Sequence, residues 1–190
     1  MRQLTVATLL AVTAFAFAGS SQSRATSGTA IAERPLIIGV DQGEARIRRF
    51  RPGQNPGMAR TPFTFKIDQR NGGSPDFWFA TETLALGAEI KYHRHLHEDE
   101  MLYIGSGTAH VHVGNIEGDA QAGGMIFIPR NTWVDVKNVG ATPIHLLFGF
   151  NRPGFDRYLR CASVPKGQPA PPLSIADWKR CQLLGDVQYR

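Results

Sequence analysis

Gly87-Ala-Glu-Ile-Lys-Tyr-His93-Arg-His95-Leu-His97-Glu-Asp-Glu100-Met-Leu-Tyr-Ile-Gly-Ser-Gly107 contains two strand-like runs joined by a short polar connection. Side chains two apart on a strand share a face, so His93 and His95 point the same way. Their Cα atoms are expected about 6.6–6.8 Å apart, close enough for both rings to reach one ion. The next strand begins at Glu100 and can add an oxygen donor. Two imidazoles and one carboxylate, with further positions open, make the ligand set of a reactive metal centre.

Working outward from that stretch, the chain reads as a series of short strands. Leu36-Ile-Ile-Gly-Val40 is expected to be the first, and Gln54-Asn-Pro-Gly57 a turn. Phe63–Ile67, Phe77–Leu86, Ala88–His95, Glu100–Ile104 and Thr108–Val113 follow, with Gly105-Ser-Gly107 as a hairpin turn. Gly114-Asn115 turns the chain, Met125–Ile128 reads as a buried strand, and Trp133–Lys137 and Ile144–Phe150 complete the series. Twenty glycines and twelve prolines in 190 residues suit so many turns. No long helical period precedes residue 154. An antiparallel all-β sandwich or barrel is expected.

The ends differ in character. Residues 1–18 carry Arg2, an apolar run from Leu4 to Ala18 and small residues before Gly19, the pattern of a secretory signal. Residues 19–35 form a Ser/Thr/Ala/Gly-rich flexible lead-in, and residues 36–152 the barrel. Residues 153–190 form a tail: a helical turn near Phe155–Arg160, an extended proline-rich segment, and a helix capped by Ser174, with Asp177 in its first turn, running to about Leu183. The expected destination is secreted or periplasmic. In such a compartment Cys161 and Cys181 are expected to pair, the alternative being two buried thiols.

The net charge of +5 is mild. The densest basic cluster is Arg46, Arg48, Arg49 and Arg51, read here as a solvated edge strand rather than a nucleic-acid site. No nucleic-acid partner is expected, and no membrane association once the leader is removed. A small-molecule substrate is expected, and the stretch around Leu36–Val40 offers a homodimer contact.

The spacing of Gly87, His93, His95, Glu100 and Gly107 resembles the first signature of the cupin family throughout. Gly123, Pro129 and Asn138 match its second signature. Asn131 stands where that signature has glycine, and asparagine accepts the left-handed backbone. Val134 stands where the third metal histidine is usual. Pro153-Gly-Phe-Asp156 also resembles the segment after the barrel in single-domain cupins. The resemblance implies a double-stranded β-helix, a jelly-roll-like barrel, with a short helical C-terminal tail. It also implies a divalent metal ion (Fe, Mn, Ni or Zn) held by His93, His95 and Glu100.

Three outcomes are open at Val134. Water completes a two-His, one-Glu shell, another histidine (His97 or His145) substitutes, or the site binds metal weakly or not at all. His97 is read as exposed and His145 as a core residue, while His110 and His112 should face outward. The resemblance implies an oxygenase of aromatic or enolic substrates, with Glu100 as ligand or catalytic base. A redox-inert zinc-dependent cyclase or isomerase, and a non-enzymatic small-molecule or metal binder, are the alternatives.

Overall fold

Trp78, Ala80, Glu82 and Leu84 are buried, while Phe79, Thr81 and Thr83 between them are partly exposed. A period of two with one apolar side produces a strand with one buried face. The computed structural model describes residues 31–54 and 62–190. The expected leader at residues 1–18, most of the lead-in and most of the Gln54–Gly57 turn lie outside the described residues.

The strands are β1 (Glu44–Arg48), β2 (Pro62–Ile67), β3 (Trp78–Leu84), β4 (Glu89–His95), β5 (Glu100–Ser106) and β6 (Thr108–Val113). They continue as β7 (Ile116–Gln121), β8 (Met125–Ile128), β9 (Val134–Asn138), β10 (Ile144–Phe150), β11 (Ser163–Pro165) and β12 (Val187–Tyr189). Two helices, α1 (Phe155–Cys161) and α2 (Ile175–Gly185), lie in the tail. Pairing is antiparallel in two sheets, ordered β11-β1-β2-β3-β10-β5-β8 and β12-β4-β9-β6-β7. This is the jelly-roll-like all-β barrel with a helical tail that the sequence implies. No helix among the described residues is long and apolar enough to cross a membrane.

The core lies between the sheets. Trp78 stacks on Phe150 at 4.8 Å between ring centroids and meets the edge of Phe148 at 5.7 Å. Its indole N–H donates to the Arg152 carbonyl at 3.2 Å, so the ring is buried without an orphaned donor. Ala80, Ile104, Ala109 and Ile144 are fully buried around this cluster.

Several expectations are corrected. Leu36–Val40 forms no strand, and Ile37 and Val40 are exposed. The carbonyls of Gly39, Val40 and Gln42 accept from the Lys66 ammonium instead of from a neighbouring strand. The arginine cluster is not an edge, because β1 is paired on both sides, with β2 and with β11. β5 runs on to Ser106, and the turn falls at Gly107 (φ 83°).

β7 was not foreseen, because Ile-Glu-Gly-Asp-Ala-Gln has no apolar alternation. It forms because the Gly114 turn (φ 61°) folds it back on β6. β8 is an edge strand, not a buried one, with Met125 and Phe127 exposed and only Ile128 fully buried.

The tail is integrated into both sheets. β11 pairs with β1 and β12 pairs with β4. Ser174 caps α2, its hydroxyl accepting from the Asp177 N–H. Cys161 on α1 and Cys181 on α2 are joined by a disulfide. Arg160, nearly buried, is ion-paired with Glu44, Asp68 and Asp156 and lies over the Phe65 ring, fastening α1 to the first strands.

Candidate metal centre

The inward faces of β4 and β5 bring the predicted donors together. His93 and His95 alternate with outward Arg94 on β4, and Glu100 opens β5 in the opposite sheet. The connection from Leu96 to Asp99 carries the chain between sheets, so the three donors face each other across the barrel. All three residues are buried. One donor atom from each lies within 4.8 Å of the others. His95 Nε2 is 3.5 Å from Glu100 Oε2.

The surroundings are dry. Cross-strand neighbours of Glu100 are Phe150 and Ile128, and those of His93 are Val134 and Tyr189. The Phe155 ring lies 4.4 Å from that of His95, and Tyr189 stacks on His93 at 5.6 Å. Burial pulls the His93 imidazolium down to about 4, with the adjacent His95 adding to the effect. Burial brings His95 down to about 3, against the opposing charge of Asp186. Both rings are therefore neutral at pH 7 with lone pairs to give. Burial also pushes the Glu100 carboxyl up to about 7, a cost that an adjacent cation would remove.

The residues present fit a divalent ion. His93 Nδ1 lies 2.7 Å from the Lys91 carbonyl, which fixes the proton there and turns Nε2 inward as donor. Both nitrogens of His95, and Oε2 of Glu100, are buried without a hydrogen-bond partner. A buried polar atom without a partner costs about 1–3 kcal/mol. Coordination would satisfy Glu100 Oε2 and one of the two His95 nitrogens.

The other histidines do not substitute for the missing ligand. His97 is exposed and lies 2.6 Å from Asp186. His145, expected in the core, is exposed on the outer face of β10 beside Thr83, because the β10 alternation buries Ile144 and Leu146 instead. Val134 is buried, directly opposite His93 in the β4–β9 register. Replacing it with histidine is therefore expected to tighten metal binding by on the order of tenfold or more, since even changes outside the ligand shell move affinity by 10–100-fold. Competition with a chromophoric chelator measures it, and an unchanged affinity would place position 134 away from the ion. Asn131 adopts φ 61°, as its place in the glycine position requires. Asn138 is structural: its amide donates to the Leu84, Ala85 and Thr142 carbonyls, and its Oδ1 accepts from Gly140.

Sequence reading missed four residues near the site. Arg48 reaches inward to Glu82 at 2.6 Å, and its Nε is buried without a partner. Glu82 was legible as a carboxylate in the apolar set Trp78, Ala80 and Leu84. Arg48 carried no such signal inside an unpatterned basic run. Phe155 and Tyr189 come from the tail. Beside them lies a pocket of about 110 Å³ lined by Arg48, Arg51, Glu82, Lys91, Tyr158 and Tyr189, which stops short of His93.

Glu98, also buried, accepts from the Phe155 N–H at 2.8 Å and thereby holds the first turn of α1 over the site. A Cβ on Gly154 would overlap Glu98 Oε1, which explains the glycine of the Pro153–Asp156 run. Gly154→Ala is expected to lower stability by about 1–3 kcal/mol, as overpacking does. Chemical denaturation measures it, and an unchanged midpoint would contradict this packing.

The sequence model of the Cupin domain family matches residues 80–150. No curated protein matches the chain. Among solved structures, a predicted oxalate decarboxylase from Thermotoga maritima superposes with a TM-score of 0.53 at 18% identity, over 62% of this chain and 100% of that one. The Cnp3 cupin domain of Schizosaccharomyces pombe gives 0.45 at 19%, over 49% of this chain and 61% of that one. Lactobacillus farciminis oxalate decarboxylase, in its formate complex, gives 0.45 at 21%, over 56% and 31%. At these identities the likeness concerns the fold alone.

Proposed function

We propose that this chain is a cupin, its residues 80–150 matching the Cupin domain family model, and that it is an exported metal-dependent oxygenase of a small aromatic or enolic substrate. His93, His95 and Glu100 hold the divalent ion. The observation that carries the reading is the convergence of three buried donors, two of them with orphaned atoms, in a dry barrel. When bound, the ion supplies Lewis acidity and adjacent open positions for two reactants.

The chain's own residues provide the rest. Lys91 holds the His93 tautomer. Phe150, Phe155 and Tyr189 exclude water and offer flat apolar faces to an aromatic ring. Arg48, with one unpaired N–H, suits an anionic oxygen of an enolate. Glu100 remains a ligand or accepts the enol proton. Entry from the neighbouring pocket requires Tyr158 or Tyr189 to swing aside.

Export is supported by the Cys161–Cys181 disulfide, since such bonds persist in oxidising compartments. Exposed Ile37 and Val40 are available to a second copy of the chain.

Elemental analysis combined with oxygen uptake over a panel of enols and catechols tests the proposal. Iron, nickel or manganese with oxygen consumption supports it. Colourless zinc protein that turns over a substrate without oxygen replaces it with cyclase or isomerase chemistry. One observation favours a second reading, a binding protein: the tail aromatics cover the site, and the neighbouring pocket stops short of His93. Purified protein that retains an intact organic molecule in air over hours would establish that reading.

A further inference from the structure

A second histidine pair lies on the opposite face of the five-stranded sheet. His110 and His112 project outward from β6, with ring centroids 5.2 Å apart and planes nearly perpendicular. Their cross-strand partners are carboxylates: Asp119 opposite His110 and Glu117 opposite His112 on β7, and Asp135 opposite His112 on β9. We infer that His110, His112 and Glu117 form a second, solvent-facing site for a divalent transition-metal ion of the zinc class, with Asp119 and Asp135 orienting the imidazoles.

The donor atoms that pair in the metal-free protein are also close to the spacing coordination needs. Glu117 Oε1 stands 2.9 Å from His110 Nε2 and 3.1 Å from His112 Nε2. Ligands at tetrahedral zinc, about 2.0–2.1 Å from the ion, lie roughly 3.3 Å from one another. Only a small opening of the trio admits the ion. Each remaining ring nitrogen meets its own carboxylate: His110 Nδ1 lies 2.7 Å from Asp119, and His112 Nδ1 lies 3.1 Å from Asp135. That partner fixes the proton on Nδ1 and presents Nε2 to the ion, the outer-shell pattern of metal-bound histidine.

Charge agrees with this assignment. Three carboxylates surround the pair, and Lys137, opposite His110 on β9, is the cation in register with it. The site faces bulk water, so ions reach it without passing through the barrel. Imidazole with carboxylate selects zinc, nickel or copper over magnesium. Its structural consequence is to tie exposed edge strand β7 to β6.

Titrating metal-free full-length protein with zinc chloride tests the inference, run beside H110A/H112A. The variant is expected to bind one Zn²⁺ fewer per chain. Equal numbers in both proteins overturn the site. Because the mutated side chains lie on the surface, the barrel core is untouched. A measurement on unmutated protein stands beside the titration: zinc is expected to shift the Nε2 resonances of His110 and His112 while both Nδ1 protons remain. Unmoved Nε2 signals overturn the site as well. Asp119→Asn with Asp135→Asn is expected to weaken binding about 10–100-fold at unchanged stoichiometry. Unchanged affinity overturns their orienting role. The barrel site is scored separately, by H93A/H95A, so either site can fail without the other.

Discussion

Protein carrying His93→Ala and His95→Ala is expected to emerge from desalting against a weak chelator with about no bound metal, where the parent retains about one tightly held ion per chain. The chelator step empties exposed sites, so the count reports the barrel. Both imidazoles are neutral and buried, and neither is needed to pair a strand, because the β4 ladder to β9 and β12 uses backbone groups. In the metal-free state His95 brings two unsatisfied nitrogens into the core, so its loss removes a cost as well as a ligand. Far-UV circular dichroism should therefore retain the β signature while elemental analysis reads zero. Full metal content in the double variant would end the ligand assignment.

The second large effect is expected from the disulfide. Replacing Cys161 and Cys181 with serine opens a loop with a sequence separation of 20. In the chain-entropy account such a loop is worth about 3 kcal/mol. For a chain of this size that corresponds to a fall in Tm of roughly 6–12 °C. The bond also ties α1, which places Phe155 on His95, to α2, which leads into β12 and Tyr189 over His93. The variant should therefore surrender its metal to a chelator faster, as well as melt earlier. A melting point and release rate equal to those of the parent would show that the tail holds its place without the bond.

These two experiments probe parts of the protein that were unequally legible in the sequence. The metal trio could be read directly, because a strand's two-residue period fixes which side chains share a face, and His93, His95 and Glu100 sit at strand positions bounded by glycine turns. Asn131 was legible for a local reason too, its left-handed backbone. The failures are tertiary. Arg48 reads as surface charge until β11 covers the open side of β1 and Glu82 offers a partner inside. His145 sits in an apolar run, but the phase of β10 decides its direction, and the buried members are Ile144 and Leu146. The three-residue strands β11 and β12 are too short to carry a period, so the tail's role as cover for the site could not be seen. β7 has no apolar alternation and is a strand because β6 pairs with it.

The central claim is that His93, His95 and Glu100 share one cation inside the barrel. Anomalous diffraction from crystals of protein purified with its native metal tests it most directly. The account predicts a peak between the sheets, about 2.0–2.2 Å from Nε2 of His93, a ring nitrogen of His95 and a carboxylate oxygen of Glu100. A barrel interior without such a peak, with metal found only on the outer face at His110 and His112, would contradict it.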